Sequence, residues 1–172
     1  MNSNQLPVNE YSTFNATYIN AIENVELLEE LEISLHDFIK FVQNIPMDKF
    51  DYRYAEGKWS IRQVVQHIID GERIFCNRAL VIARKDKTTT LVSFDQDEYE
   101  LTSKADNRTK DDLISELAAL QQSSIRFFGS FDDEQLQTRG TVGNYTIDVN
   151  ALGFVVIGHT IHHMKLIKER YL

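Results

Sequence analysis

One cysteine, two prolines and seven glycines in 172 residues leave this chain few staples and few breaks. The lone Cys76 excludes an intrachain disulfide and fits a reducing, cytoplasmic setting. Scarce breakers beside long apolar periodicities predict helices. No internal repeat and no low-complexity tract is present. The longest apolar stretches, such as residues 153–158, fall far short of the roughly 20 residues that span a bilayer. The opening MNSNQLPVNEYSTF has neither the basic region nor the apolar run of a signal peptide. These absences predict a soluble cytoplasmic protein with no membrane partner.

Positive charge is also short. Lys and Arg total 18 against 26 Asp and Glu, a formal net charge of −8, which repels a phosphate backbone. The densest basic stretch, Arg84-Lys85-Asp86-Lys87, contains an acid and reads as a solvated helix end, so no nucleic-acid partner is expected. A Gly-rich phosphate loop, a serine-nucleophile motif and a Cys-x-x-Cys pair are all missing.

What is present is enough for one domain over residues 1–172. Hydrophobic residues make up 42%, and a chain this long buries roughly two-thirds of its unfolded surface without disulfide or structural metal. A first helical block is expected from about Thr13 to Val42, with Leu27, Leu28, Leu31, Leu35, Phe38 and Val42 as its stripe and Pro46 as its stop. A second begins at Ser60, which with Gln63 forms a capping box, and runs to about Arg84. Residues 85–108 form a long polar connection with room for a short helix. A third helix opens at Thr109, with Leu113, Leu117, Leu120, Ile125 and Phe128 inward. Residues 129–147 connect again, and turn residues between β-formers over 139–146 predict a small hairpin. The last helix runs from about Asp148 to Tyr171. Four long helices predict an all-α four-helix bundle.

Three of five histidines fall in one string, His159-Thr160-Ile161-His162-His163. At about 100° per residue, His159 and His163 stack one turn apart within about 60° of the Val156 apolar direction. His162 falls near 120° and points away. That spacing lets two imidazoles reach one metal from a single helix, and equally fits two histidines bonded across the bundle to carboxylates or backbone. His67, on the flank of the second helix, offers a third imidazole, and Gly71 leaves space beside it. Arg78 lies farther along that edge, a candidate for binding a substrate carboxylate. His36, off the leucine stripe, has no assigned role.

The stretch Lys58-Trp59-Ser60-Ile61-Arg62-Gln63-Val64-Val65-Gln66-His67, together with His159, His162 and His163 in the last helix, resembles the DinB-like and YfiT-like superfamily. The resemblance covers nearly the whole chain. It implies an up-up-down-down four-helix bundle, commonly a homodimer, and a divalent metal, zinc or nickel, held by three histidines. These carry over to His67, His159 and His163. It further implies chemistry in which the metal activates a nucleophile. The leading expectation is transfer of a low-molecular-weight thiol, such as bacillithiol or mycothiol, to an electrophile. Water in the thiol's place gives a metal-dependent hydrolase, and a non-catalytic or stress-related bundle is the third expectation.

No catalytic base is assigned. Cys76 is expected to be buried and structural, and Trp59 either a helix-start staple or part of a pocket mouth. Asp70 and Glu72 are expected to face solvent or pair with bases such as Arg73. Carboxylates of the 95–100 segment are candidates to reach the site as a base or as partners of the ligands, but nothing in the sequence places them there, and a solvated acidic loop is the simpler expectation.

Overall fold

Each long helix starts where a side chain can accept the free amides of its first turn. Glu26 accepts from Leu28 and Glu29 at the head of α2 (Leu27–Asn44). Ser60 and Gln63 close the expected capping box at the head of α4 (Ile61–Ala83). Thr109 caps α6 (Lys110–Gly129) and Asp148 caps α8 (Val149–Arg170). Around them a computed structural model, which describes residues 2–172, places α1 (Thr13–Asn20), α3 (Met47–Phe50), α5 (Gln96–Ser103) and α7 (Asp133–Gln137). Strands β1 (Arg139–Val142) and β2 (Tyr145–Asp148) form an antiparallel hairpin pairing Arg139 with Asp148 and Val142 with Tyr145. Gly143 supplies the positive φ, +57°, that a two-residue hairpin turn requires.

The expected first helical block is two helices. Residues 21–26 leave the helix because the N-terminal segment binds them. Ser3 N donates to Val25 O at 3.1 Å and Ser3 Oγ to Glu23 O at 2.7 Å, while Asn2 bridges Glu26. The freed α1 lies across α8. There Gly158 meets the Tyr18 backbone so closely that any Cβ would overlap the Tyr18 carbonyl.

In the bundle α2 and α4 lie diagonally, each flanked by α6 and α8. Leu27 packs against Gly153 and Lys168 lies over Phe41, so α2 and α8 run parallel. Lys110 Nζ donates to Gln43 and Ile45 carbonyls, which turns α6 against α2. Arg108 reaches Gln66 while Ser124 reaches Glu72, making α4 and α6 parallel. Around the ring the directions of α2, α8, α4 and α6 read up, up, down, down; along the chain they read up, down, down, up. Parallel neighbours α4 and α6 need a connection that climbs the bundle's full length, about 30 Å or more at 1.5 Å per residue. That climb is the physical reason for the long 84–109 segment.

The core has two apolar clusters. One gathers Leu27, Phe75, Phe128, Leu152 and Phe154 toward the hairpin end. The other gathers Phe38, Phe50, Ile61, Leu113 and Ile167 at the opposite end. On α4 and α8 the histidines fall between them. Among the described residues, no helix is long and apolar enough to cross a membrane.

Candidate metal centre

Antiparallel α4 and α8 bring His67 opposite His159 and His163, and the three rings turn their Nε2 atoms toward one point. His67 Nε2 lies 2.9 Å from His159 Nε2, which lies 3.1 Å from His163 Nε2. The set falls within 4.8 Å, and the three residues keep only 6%, 2% and 8% of their exposure. Gly71, one turn beyond His67, is what lets α8 come this close. A Cβ there would stand 3.0 Å from His159 Cε1. The space expected beside Gly71 is therefore filled by the His159 ring and forms no pocket.

Burial keeps these imidazoles neutral. Desolvation pushes His67 down to about 4, and the charge of His162 adds to it. His159 and His163 are held well below the ordinary value by desolvation first and by neighbouring imidazoles second. No carboxylate is among the groups that shift any of the three.

Three neutral rings meeting at Nε2 do not satisfy one another. The His159 Nε2 has one proton or one lone pair, so it makes one good hydrogen bond, yet it faces two partners. A cation between them accepts all three lone pairs. Two imidazole nitrogens on a tetrahedral zinc, at about 2.0–2.1 Å each, stand about 3.3 Å apart, close to the spacings found here. Soft-to-borderline imidazole donors suit zinc and nickel alike. The donor set fits a divalent metal. The buried Nδ1 of His163 has no hydrogen-bond partner, so packing between the His67 and His162 rings, at 4.9 and 5.0 Å, holds that ring in place.

A cleft of about 540 Å³ opens over His163. Trp59, whose ring lies 5.0 Å from His67, forms one wall, and Tyr18, 5.4 Å from His159, forms another. Trp59 thus lines the cleft while its carbonyl accepts from Tyr171 OH at 2.8 Å. His162 was expected to point away from the site. Its side chain is exposed, but it lines the cleft mouth, because Tyr18 of α1 packs against it and closes that side. From the acidic segment, Asp97 at the start of α5 reaches the same cleft. His36 is exposed and stands apart.

Other expectations resolve differently. Glu72 was expected at the surface, yet it is 2% exposed, facing α6 rather than α8. Ser124 Oγ donates to its Oε1 at 2.6 Å, and Cys76 Sγ lies 3.4 Å from the same hydroxyl. Burial raises the Glu72 carboxyl to about 7 and the Cys76 thiol to about 12. Asp70 is half-buried and accepts from Gln66 Nε2 at 3.0 Å. Arg78 does not reach the histidines directly, because the Phe75 ring stands between, 5.5 Å from the His159 ring and 5.8 Å from the guanidinium carbon.

With this geometry in view, comparison with known proteins gives a consistent result. Residues 30–167 match the model of the DinB superfamily. A protein of Oceanobacillus iheyensis, named for a proposed metal-dependent hydrolase activity, is 27% identical over 149 residues, covering 86% of this chain and 85% of that protein. The structure of YfiT from Bacillus subtilis, for which metal-dependent hydrolysis in an unusual four-helix bundle is likewise proposed, superposes with a TM-score of 0.71 at 17% identity, covering 86% of this chain and 89% of that one. A crystal structure of a DinB-like protein of the same bacterium superposes with a TM-score of 0.59 at 17% identity, covering 83% and 87%.

Proposed function

The chain belongs to the DinB superfamily, and from that premise we propose that it is a divalent-metal-dependent hydrolase in which His67, His159 and His163 hold the ion. The observation that carries this reading is the convergence of three buried, neutral Nε2 atoms beneath an open cleft. A divalent ion held by these three neutral imidazoles would supply Lewis-acid chemistry, lowering the pKa of a water toward neutrality and polarising a substrate carbonyl. The chain's own residues do the rest. Burial holds the imidazoles deprotonated and ready to donate. Trp59 and Tyr18 wall the cleft and limit bulk water beside the reacting atoms. His162 and Asp97, which line the cleft, are the candidates we assign to take a proton from the nucleophile and return it to a leaving group.

The size of the cleft supports a second reading. About 540 Å³ holds more than a small ester and a water. A low-molecular-weight thiol, bacillithiol-like, occupying that space as thiolate would form a C–S bond to an electrophilic carbon in the same cleft as that carbon's bond to its leaving group breaks, the leaving group taking up the proton the thiol gave up.

The test is elemental analysis of protein purified without affinity tag or chelator, followed by ester- and amide-hydrolysis and thiol-consumption assays on the metal-loaded form. About one zinc or nickel per chain, lost in His163→Ala together with hydrolysis, is the expected outcome. Thiol consumption without hydrolysis selects the transferase. No metal and no uptake at neutral pH overturns both and leaves a helical bundle with core histidines.

A further inference from the structure

Arg78 sits on α4 about three turns beyond His67 and keeps only 5% of its exposure. Its Nη2 donates to Val92 O at 2.8 Å, its Nη1 reaches Tyr145 OH at 3.5 Å, and its carbon lies 5.8 Å from the rings of both Phe75 and Phe94. Among the described residues, no carboxylate oxygen lies within 4.0 Å of it. The other buried arginine, Arg62, has Asp51 at 2.8 Å, and the half-buried Arg108 has Asp112 at 2.7 Å. A buried cation without an anion is costly. Burial lowers the Arg78 pKa, and only the phenols Tyr145 and Tyr99 act against that.

Arg78 also borders open space. It lines one cavity of about 430 Å³ and a second of about 280 Å³. The second is walled by Ser12, Phe14, Ser93, Asn144 and Tyr145, so its polar groups beside Arg78 are hydroxyls and one amide. Phe14 is shared between this cavity and the cleft over His163, and Phe75 touches both His159 and Arg78. One aromatic ring therefore separates the unpaired cation from the metal centre.

We infer that Arg78 anchors a carboxylate-binding subsite beside the metal centre, taking the acidic end of a small substrate or cosubstrate whose reacting end lies over His163. The second half of that statement rests on the function proposed above; the anion site stands on Arg78 alone. In the cavity of about 280 Å³, which Arg73 does not line, one guanidinium with neutral donors balances a single negative charge and matches a carboxylate's two oxygens. A phosphate, at about −1.5 to −2, would remain undercompensated there.

The probe is succinate, titrated into ¹⁵N-labelled full-length protein as purified, with its uncharged diamide and inorganic phosphate as comparisons. Succinate should cause saturable shifts at the amides of Val92, Ser93 and Tyr145. The diamide should cause none, and phosphate should bind more weakly. Arg78→Met should weaken succinate binding about tenfold or more, with Arg78→Lys between. If Arg78→Met does not fold, Asn144→Ala and Tyr145→Phe carry the same comparison, each lowering succinate affinity. Equal shifts with succinate and diamide, or unchanged affinity in the variants, overturn the subsite. Tighter binding of phosphate overturns its assignment to carboxylate. His163→Ala should retain succinate binding. Failure of metal uptake with succinate binding intact removes the proposed function and leaves the anion site standing, and metal uptake without succinate binding removes this inference alone.

Discussion

Helix α4 presents two buried polar clusters on opposite sides, and they differ in what they leave unfilled. Toward α8, His67 meets His159 and His163, three like groups whose lone pairs aim at one point. Toward α6, Glu72 meets Ser124 and Cys76, unlike groups in which a donor answers an acceptor. Glu72 and Ser124 are as buried as the three histidines, and Cys76 is half-buried. In the α6 cluster the Ser124 hydroxyl answers Glu72 Oε1, and only the second carboxyl oxygen, Oε2, is left without a partner. The α8 cluster does not close, and beside it lie a cleft and, past Phe75, an unpaired guanidinium. Convergence of like acceptors, rather than burial or perturbed titration, is what distinguishes the α8 side.

The comparison breaks first if the two clusters respond alike to truncation. Removing one of three ligands should cost more metal affinity than the about 10–100-fold typical of outer-shell changes. His163→Ala is therefore expected to weaken zinc or nickel binding by more than about 100-fold, measured by competition with a chromophoric chelator. Glu72→Gln should leave that affinity unchanged. Equal losses in the two would show that the metal lies elsewhere or that both clusters are structural.

Titration separates the clusters next. Glu72 is raised from 4.5 to about 7 by burial, so between those values the folded chain holds more protons than the unfolded one. Its contribution is full below about pH 4.5, falls as pH rises, and levels above about 7. The span corresponds to about 3 kcal/mol. The histidines act in the opposite sense. His67, lowered to about 4, makes stability fall on acidification below about 6.5. With chelator present, the stability of Glu72→Gln relative to the parent, from urea unfolding, should improve by about 3 kcal/mol between pH 4 and 8. A difference that does not vary with pH would mean that the Glu72 carboxyl titrates alike in the folded and unfolded chains and is not raised by burial. Smaller effects should follow at its partners. Ser124→Ala leaves a buried carboxyl oxygen without its donor and is expected to cost about 1–3 kcal/mol by the same unfolding measurement. The Cys76 thiol, pushed up to about 12, should alkylate far more slowly at pH 8 in native than in denatured protein.

These two sides were unequally legible in the chain itself. Local signals carried well: Ser60 with Gln63, Thr109 and Asp148 each mark a helix start where one occurs, and Gly143-Asn144 marks the hairpin turn. The four-residue step from His159 to His163 told that both rings share a face, and His67 meets them there. What failed needed knowledge of a neighbour. Helical angle places Glu72 on a side but does not say that Ser124, on a helix 52 residues away, will cover it. His162 looked outward because nothing on α8 announces α1 lying across it. Nor does a Gly or Pro mark the break at 21–26, which the N-terminal segment imposes from outside. Helix α7 was missed although Asp132 and Gln135 form a capping box that could have revealed it.

The gentlest way to sharpen the contrast is a single methyl group. Gly71→Ala places a Cβ 3.0 Å from His159 Cε1 and 3.4 Å from its Nδ1. The ring has little room to yield, since Phe75 and Tyr18 lie edge-on at 5.5 and 5.4 Å and two imidazoles hold its other end. Alanine in place of glycine inside a helix favours folding by about 1 kcal/mol, and crowding a packed site costs about 1–3 kcal/mol. The metal-free variant should therefore be close to the parent in stability or slightly below it. The metal-bound form should suffer more, because displacing one nitrogen by a few tenths of an ångström misaligns a three-ligand set while leaving the core intact. An affinity loss of about tenfold, with thermal unfolding of the metal-free protein nearly unchanged, is the expected pattern. Unaltered affinity would show that the His159 ring can shift freely, and a ring free to shift is not one that a buried metal site has fixed.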